Sequence, residues 1–574
     1  MNKENIIKKL NRIGYIVSDN GELLDLKGKF ISNIVIYPIE QKRKFRNGNI
    51  EMYASMNAYV DGGKSTQITL PVIEIEKLQW IPMKLGMHAI VEDKKVFVSI
   101  LKELFKDVEI VDVYDSTGWI ESYTGEYAYL DSLGAIKNND LSVEIDEHLS
   151  NYRFSRKDII LENAAKVSLA LLQAVNKRVS YVLMSVVFLC VFLEFIKPVG
   201  KLPEFVVWLY GFTGSGKTTI AKLFASHFGE FQNRVTASFN DTYTSIELKT
   251  YKLKDSLMLL DDFCPQQSFK ESQNLNTIAE KVIRAYGDRT SRGRATNTME
   301  SQVQFIPRGM AVITGETIVP GNSTQQRLAL VELKAGDVDF ERIKEIQKES
   351  ELLSIVMREY ILWITDEVNQ DKKDFSSVIN SNYEDFLSEI INEAIETHGR
   401  TYESFAWLLV GLDMMCQFYC NKGILSQEEG DLLIEEAKSE FLKLIEIKNE
   451  QSKLENPMEL FLDTVKELIG SQAITLKNLD TQEIIGNQYK PIEGYFDSEF
   501  YYFNANNIYG LVRSRLSKAG VYMQLPVRGL IKVLADNDVI RVEEASNQPK
   551  KTIVCDDGSK RRQRLLHIRK EFLD

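Results

Sequence analysis

Residues 205–219 read Phe205-Val-Val-Trp-Leu-Tyr-Gly-Phe-Thr-Gly-Ser-Gly-Lys-Thr-Thr219, an apolar run followed by a glycine-rich loop. From Gly211 to Thr218 the loop matches the pattern G-x-x-x-x-G-K-S/T at every position. A run of good helix formers, Ile220–Ala225, comes next. A strand, a loop with this glycine spacing and a helix, in that order, predict a binding site for the phosphates of a nucleotide.

The residue types in this loop suit phosphate chemistry. Gly214 and Gly216 allow main-chain N–H groups to converge on phosphate oxygens, where a β-carbon would intrude. The start of the following helix adds partial positive charge. We expect Lys217 to reach the β- and γ-phosphates of ATP and the Thr218 hydroxyl to bind Mg²⁺. The predicted nucleotide-binding residues are Gly211, Thr213, Gly214, Ser215, Gly216, Lys217, Thr218 and Thr219.

A second apolar run ends in two carboxylates. Leu257–Leu260 is followed by Asp261 and Asp262, and ligands of open α/β sheets bind at the carboxyl ends of the strands. We expect Asp261 to be the Mg²⁺ carboxylate beside Thr218. Asp262 is predicted to orient or deprotonate the attacking water, a role that glutamate fills more often. The alternative is a strand that ends in a solvated acidic turn.

Further catalytic candidates follow at two places along the chain. Met310–Glu316 is another apolar run with a polar end, where Thr314 is the first choice and Glu316 the second for contacting the γ-phosphate or the water. Arg327 leads into one more apolar run, and we expect it to act as an arginine finger in a neighbouring subunit's site. An exposed arginine held in a salt bridge is the alternative. This order predicts an additional-strand P-loop ATPase, a class that commonly forms rings.

Composition and charge exclude several classes of protein. The 574 residues are 44% hydrophobic and 26% charged, which excludes a wholly disordered chain, a collagen-like repeat and a polytopic membrane protein. Five cysteines, an odd number, favour a reducing compartment. The run Val179–Leu193 is shorter than the roughly 20 residues of a membrane span, so we expect a buried helix there and a cytoplasmic location.

Positive charge is segregated although the net charge is −12. From Glu280 to Arg308 there are six basic and three acidic residues. In a ring ATPase such an insert would point into the central channel and grip single-stranded DNA by its phosphates. The candidates for this contact are the six basic residues of the segment, Lys281, Arg284, Arg289, Arg292, Arg294 and Arg308; a solvated loop is the alternative.

The second basic segment lies near the C-terminus. Residues 550–570 carry eight basic and two acidic side chains. Two helix-like runs, 504–517 and 526–536, precede two β-type runs around the turn 556–559, a pattern that predicts a winged helix. We expect Arg528 and Lys532 on the second helix, with Arg561 and Arg562 on the wing, to contact DNA. A basic protein-docking module is the alternative.

These motifs resemble one family. The chain is similar to the MCM-like, self-loading replicative helicases of staphylococcal cassette chromosomes and pathogenicity islands. The similar segments of the core are Tyr210–Thr219, Leu259–Asp262, Ile313–Glu316 and Gln326–Leu328, and those upstream are Ser116–Trp119 and Asp131–Gly134. The resemblance spans residues from about 110 to the end. It implies an AAA+ homo-hexamer that encircles DNA and unwinds it with ATP and Mg²⁺. It also implies a basic channel hairpin at Arg289, Arg292 and Arg294, and a winged helix that recognises the origin duplex.

The resulting prediction is a multi-domain chain with an α/β P-loop AAA+ core. β-type runs such as Phe30–Tyr37 and Lys95–Ile100 characterise the N-terminal part. The predicted domains are a β-rich N-terminal module (1–150), the ATPase core with its leading helices (151–335), a helical region (336–455) and the winged-helix DNA-binding domain (456–574).

The predicted function is an ATP-dependent DNA helicase that starts replication of a mobile genetic element. Two other functions stay open. One is a switch ATPase that binds DNA through residues 500–574 and remodels protein partners without unwinding. The other is a non-enzymatic DNA-binding scaffold, which the intact Lys217, Thr218 and Asp261 disfavour.

Overall fold

Secondary structure changes in character along the chain, from mixed β and α, through α/β, to long helices and a final α+β segment. The computed structural model describes residues 3–46, 49–122, 125–137, 141–197, 200–264, 268–291, 304–395, 397–454, 456–518, 523, 525–543, 546–554 and 559–573. The chain divides into two compact units, one of residues 1–319 and 326–444, the other of residues 320–325 and 445–574.

The N-terminal part is built on a five-stranded sheet. Its helices are α1 (Lys3–Arg12), α2 (Val72–Lys77), α3 (Trp80–Leu85) and α4 (Lys94–Phe105). Its strands are β1 (Tyr15–Val17), β2 (Leu23–Asp25), β3 (Phe30–Ser32), β4 (Ile34–Arg46), β5 (Asn49–Val60), β6 (Ser65–Pro71), β7 (Ile110–Tyr114), β8 (Gly118–Glu121), β9 (Tyr127–Asp131), β10 (Gly134–Ala135) and β11 (Ser142–Val143). The sheet has the order β11-β7-β4-β5-β6, and α1 and α4 share an apolar core with it.

The β-type run Lys95–Ile100 is helical, so the strand predicted there is wrong. Asp93 caps α4 by accepting a hydrogen bond from the N–H of Val96, at 3.1 Å. The buried side chains of α4 are Phe97, Ile100, Leu101, Leu104 and Phe105, which recur every three or four residues. Burial of this helical face outweighs the local preference of the valines for a strand.

A parallel five-stranded sheet carries the predicted motifs. Its strands are β12 (Val206–Tyr210), β13 (Ala237–Ser238), β14 (Leu257–Phe263), β15 (Met310–Gly315) and β16 (Leu328–Glu332), in the order β13-β14-β15-β12-β16. Helices α5 (Leu161–Ala174), α6 (Lys177–Leu189), α7 (Leu193–Ile196), α8 (Lys217–Ala225), α9 (Tyr243–Lys252), α10 (Phe269–Gly287) and α11 (Asn322–Gln325) lie between or before these strands in the sequence. Leu209 pairs with Thr314, and Leu260 with Ile313, so the carboxyl ends of β12, β14 and β15 meet at one edge.

The apolar stretch that contains Val179–Leu193 forms a helix in the protein core. Lys177–Ile196 is long and apolar enough to cross a membrane by length and composition, yet 94% of its most apolar window is buried inside the protein. Val182, Val186 and Phe188 of α6 have no exposed surface. The prediction of a buried helix at Val179–Leu193 is therefore confirmed.

Strands β8 and β9 pack against the residues just before β14. The main-chain N–H of Trp119 donates to Oδ2 of Asp255 at 3.2 Å, and the Tyr129 hydroxyl donates to the Asp255 carbonyl at 2.7 Å. Trp119 is fully buried. This part of the predicted N-terminal module is thus joined to the strand that bears Asp261, while the domain boundary at residue 150 stays a prediction.

Long helices follow the parallel sheet in the sequence. They are α12 (Phe340–Lys348), α13 (Glu351–Glu393), α14 (Gly399–Asn421) and α15 (Gln427–Leu454). A separate helical region at 336–455 stays a prediction. Helix α13 packs on α5 and α14 and is interrupted at Asp371, whose φ of −151° and ψ of 94° are not helical.

The last segment has its own apolar core. Its helices are α16 (Pro457–Gly470), α17 (Ala505–Lys518) and α18 (Val527–Asp536). Its strands are β17 (Leu476–Asn478), β18 (Ile484–Ile485), β19 (Gly494–Phe496), β20 (Phe500–Phe503), β21 (Lys550–Val554), β22 (Lys560–Arg564) and β23 (Leu566–Arg569). The helices pack on the sheet β18-β17-β19-β20-β23, and β21 and β22 form a separate antiparallel hairpin.

Candidate nucleotide-binding site

The glycine-rich loop joins β12 to α8, as the sequence predicts. Gly211 follows β12 so closely beside Leu333 that a β-carbon on it would lie 2.3 Å from the Leu333 carbonyl oxygen. Gly216 caps the start of α8 with a φ of +93°, a left-handed conformation that glycine adopts without strain. The loop therefore needs glycine at both ends, at Gly211 for close packing and at Gly216 for its backbone conformation.

Lys217 is the first residue of α8 and is 9% exposed. Its Nζ donates hydrogen bonds to the carbonyls of Gly211 and Phe212, at 2.7 and 2.8 Å, and so holds the loop closed from inside. Burial lowers the pKa of Lys217, whereas the nearby carboxylates of Glu316, Asp261 and Asp262 oppose this shift. The ammonium is thus a partly desolvated positive charge at the base of the loop.

Thr218, Asp261 and Thr314 form a cluster of oxygens beside Lys217. The Thr218 hydroxyl donates to Oδ1 of Asp261 at 2.8 Å, and the Thr314 hydroxyl donates to the same oxygen. These oxygen donors fit Mg²⁺, which prefers carboxylate, hydroxyl, water and phosphate oxygens and keeps several waters. Among the described residues, no group of three or more His, Cys, Asp and Glu side chains could hold a metal ion.

Asp262 owes its position to an irregularity in β14. The pairing of β14 with β15 shifts register between Leu260 and Phe263, and Asp262 has a φ of +72°. Its N–H donates to the Thr314 hydroxyl at 3.3 Å, and its side chain is exposed at the cleft. Left-handed backbone in a non-glycine residue is uncommon and concentrates at functional sites, where the surrounding structure enforces it.

Most of the residues predicted to bind nucleotide or act in catalysis at this loop line one cleft of about 260 Å³. It is lined by Thr213, Gly214, Gly216, Lys217, Thr218, Thr219, Asp262, Thr314, Gly315 and Glu316. The Thr213 hydroxyl donates to the Glu316 carboxylate across it. Asp261 reaches the cleft through Thr218, and Ser215 has a buried hydroxyl that no described group satisfies.

Arg327 lies at the opposite end of the same sheet. It precedes β16, and the N–H of Val206 at the start of β12 donates to its carbonyl at 3.0 Å. Its side chain is 13% exposed and is paired with Asp288, which also binds Arg400. Within the chain, a salt bridge is therefore formed, as in the alternative from the sequence, but the arginine is mostly buried and not exposed.

The DNA contact predicted for Arg289 is not supported by its surroundings. Its guanidinium donates to the carbonyls of Pro203, Pro307 and Gly309, at distances of 2.7 to 3.3 Å. Burial lowers the pKa of Arg289 to about 10. A guanidinium that satisfies three main-chain carbonyls serves the fold, because these bonds would have to break before it could bind phosphate. Arg292 and Arg294 lie outside the described residues.

The basic residues predicted near the C-terminus are on the surface. Arg528 and Lys532 are exposed on one face of α18, whose Leu530 and Leu534 are buried. All five residues of β22, including Arg561 and Arg562, are exposed. In the part of the chain that the structure describes, these four cations form no ion pair.

Sequence reasoning missed the partners of Arg327 and the aromatic neighbour of Gly216. Asp288 ends α10 and Arg400 belongs to α14, so only the packing of these helices brings them to Arg327. The ring of Phe340 lies close to Gly216. Phe340 follows an Asp at a helix start, which is a signal for the helix but not for a place beside the loop.

Comparisons with known proteins bear on the fold. A family model described as a domain of unknown function (DUF927) matches residues 25–302, and no curated protein matches the chain. A solved structure described as "SCCmec type IV Cch - active helicase" aligns over 97% of this chain and 98% of its own, with 12% identity and a TM-score of 0.61. Two structures of JCV helicase with bound small molecules cover 41% of this chain and 66% of theirs, at 15% identity and a TM-score of 0.23. The first likeness establishes a shared fold over nearly the whole chain, whereas the second is too weak for any argument.

Proposed function

We propose that this protein is an ATP-dependent DNA helicase of the AAA+ type that assembles into a hexameric ring. The observation that carries the proposal is the cleft in which Lys217, Thr218 and Asp262 meet Thr314. The strand order, with β12 between β15 and β16, supports an additional-strand ATPase. The fold shared over nearly the whole chain with a structure described as an active helicase supports a helicase function.

The residues of the cleft suit phosphoryl transfer. Bound Mg²⁺ would neutralise charge on the phosphates and would be held by Thr218 and Asp261. Lys217 offers positive charge to the β- and γ-phosphates from the base of the loop. Asp262 and Thr314 lie where they can orient a water beside the γ-phosphate, with Asp262 as the group that accepts its proton.

Arg327 cannot serve the cleft of its own subunit. Five residues of β12 separate the two ends of the sheet, which is roughly 16 Å at 3.3 Å per residue. A catalytic role for Arg327 therefore requires a second copy of the chain, and this need supports the ring. In such a ring Arg327 would exchange its bond to Asp288 for the γ-phosphate of the neighbour.

DNA binding is assigned to two places. The exposed Arg528, Lys532, Arg561 and Arg562 are proposed to hold duplex DNA, with α18 in a groove and the β21–β22 hairpin as the wing of a winged helix. Recognition of a replication origin on a mobile element belongs to this surface. Contact with single-stranded DNA through Arg292 and Arg294 stays a prediction, as does the cytoplasmic location.

Strand displacement on forked DNA tests the proposal. Wild type and Lys217→Ala are compared with ATP and Mg²⁺, on forks in which either the 3′ or the 5′ arm is blocked. We expect wild type alone to displace the strand, and Lys217→Ala to bind DNA with unchanged affinity because the loop and the basic surface belong to different compact units.

Each other result has a definite meaning. Turnover of ATP by wild type without displacement would replace the helicase with a switch ATPase that remodels protein partners. Loss of DNA binding in Lys217→Ala would contradict the separation of the two sites. A wild type without any DNA-stimulated turnover would favour the non-enzymatic scaffold.

A further inference from the structure

The two sides of the glycine-rich loop differ in chemistry. On one side of β12 lie β15 and β14, which present Thr314, Glu316 and Asp262. On the other side lies β16, and the segment after it brings Val338 and Phe340 to the loop. A loop that binds a nucleotide is thus flanked by carboxylates and hydroxyls on one side and by apolar carbons on the other.

Phe340 lies next to the residue that starts α8. A β-carbon on Gly216 would lie 3.2 and 3.3 Å from Cε1 and Cζ of Phe340, and 4.0 Å from Cγ2 of Val338. Gly216 also lines the cleft, so the ring lies beside one of the residues that line it. Half of the Phe340 surface, 50%, is exposed. A single exposed aromatic residue is ordinary, and it is the position of this one that is informative.

The main chain holds Phe340 in this position. The N–H of Asp339 donates to the Ala174 carbonyl at 2.9 Å, and the N–H of Asn176 donates to the Asp337 carbonyl at 2.8 Å. The Asp339 carboxylate accepts from the N–H of Arg342 at 3.1 Å and caps α12. Phe340 is the first residue of a capped helix that is tied to the α5–α6 junction, so its backbone is fixed without any ligand.

The sheet order sets the direction in which a nucleotide lies. Chemistry at the γ-phosphate needs Asp262 and Thr314, so this end of the triphosphate points toward β14 and β15. The nucleoside then extends across the loop toward β16. Neighbouring strands are about 4.8 Å apart, so β15 and β16 are separated by roughly 10 Å, which is the order of length of an extended triphosphate.

We propose that Phe340, backed by Val338, packs against the base of ATP and is the base-binding residue of this site. This assignment rests on the proposed nucleotide cleft, which accounts for the phosphates, and concerns the base, which would lie outside that cleft. An aromatic face binds any base by stacking, without reading its hydrogen-bonding groups. The ring therefore supplies affinity for the nucleoside, while the loop binds the phosphates.

Calorimetric titration of the full chain with two probes, Mg-ATP and Mg-tripolyphosphate, tests the assignment. Phe340→Ala is expected to weaken ATP binding by about tenfold, the effect of losing one base–aromatic contact, and to leave tripolyphosphate binding unchanged. Phe340→Trp is expected to restore ATP binding. Tyr489→Ala is the control, since Tyr489 is a 96% exposed aromatic residue of the other compact unit.

The outcomes separate this inference from the proposed function. If wild type binds no tripolyphosphate, the phosphate site itself is wrong. If Phe340→Ala binds both probes as wild type does, the ring does not touch the base. If Phe340→Ala weakens the binding of both probes by the same factor and Phe340→Trp does not restore it, Phe340 only supports the loop, and the assignment is overturned.

Discussion

Arg327 and Asp288 form an ion pair in which Nε and Nη2 of the arginine lie 2.9 and 2.8 Å from the same carboxylate oxygen. Nη1 of Arg400 lies 3.1 Å from that oxygen as well. Burial would raise the pKa of Asp288, but the hydrogen bonds from Arg327 and Arg400 hold this pKa below its usual value. Arg400 would keep Asp288 paired if Arg327 left, as the proposed role of Arg327 as an arginine finger requires.

The position of Arg327 predicts complementation between subunits. Arg327→Ala should lower ATP turnover by on the order of a thousandfold, as loss of an arginine finger does, because each site then lacks its neighbour's cation. Mixing Arg327→Ala with Lys217→Ala should restore turnover, since some interfaces then join an intact loop to an intact arginine. Turnover is measured in the mixture and in each variant alone. Mixed rings that form but stay inactive would contradict action between subunits.

Asp262 is predicted to act on the attacking water. Asp262→Asn should lower turnover at least a hundredfold, because the amide cannot accept a proton, and should leave the Kd for ATP within about twofold. Asparagine suits the test because it tolerates the φ of +72° at this position. Single-turnover hydrolysis and ATP titration provide the measurement. Unchanged turnover would mean that the carboxylate only ends the strand in a solvated turn.

The exposed arginines of β22 are predicted to bind DNA through its phosphates. Arg561→Ala with Arg562→Ala should weaken duplex binding and reduce the slope of log Kd against log salt by about two, since each phosphate contact contributes about 0.9. The control removes the same charge from α4, where Lys94 and Lys95 are exposed. Fluorescence anisotropy at several salt concentrations measures both slopes. Equal losses in the two double variants would indicate a general charge effect and no DNA-binding hairpin.

His227 is predicted to make stability depend on pH. Its Nδ1 lies 2.8 Å from the Phe224 carbonyl oxygen, and its Nε2 lies 2.9 Å from the Ser168 hydroxyl. Burial lowers the pKa of His227 from 6.5 to about 4, against the opposing effect of the Phe224 carbonyl. Between these values the unfolded chain binds a proton that the folded protein does not. The stabilising contribution is therefore present above pH 6.5 and is lost as the pH falls toward 4.

Thermal unfolding of His227→Asn checks this sign. The melting temperature of wild type should fall more steeply than that of the variant between about pH 7 and pH 4.5, by a few degrees. The exposed His148→Asn is the control and should follow wild type. Parallel pH profiles for wild type and His227→Asn would refute a neutral buried imidazole.

Local patterns predicted the elements that are encoded by consecutive residues. The strand before Gly211, the helix after Gly216 and the buried helix around Val182 follow from apolar runs, glycine spacing and helix-forming residues within about 20 residues. The same reasoning failed at Lys95–Ile100, where β-branched residues favour a strand locally but a buried helical face decides the outcome.

The sequence by itself determined a glycine-rich loop between a strand and a helix, an acidic strand end and a polar strand end, because each is a short local pattern with its own chemistry. Only the tertiary structure decided which distant residues meet. The strand order places Phe340 beside Gly216 and Arg327 at the far end of the sheet. The packing of the helices brings Asp288 and Arg400 into contact with each other beside Arg327. The tertiary structure also buries the guanidinium of Arg289 against main-chain carbonyls, although the positive charge of this residue made it a candidate for binding DNA. Contacts between residues far apart in the chain depend on the packing of whole elements, which no single stretch of sequence encodes.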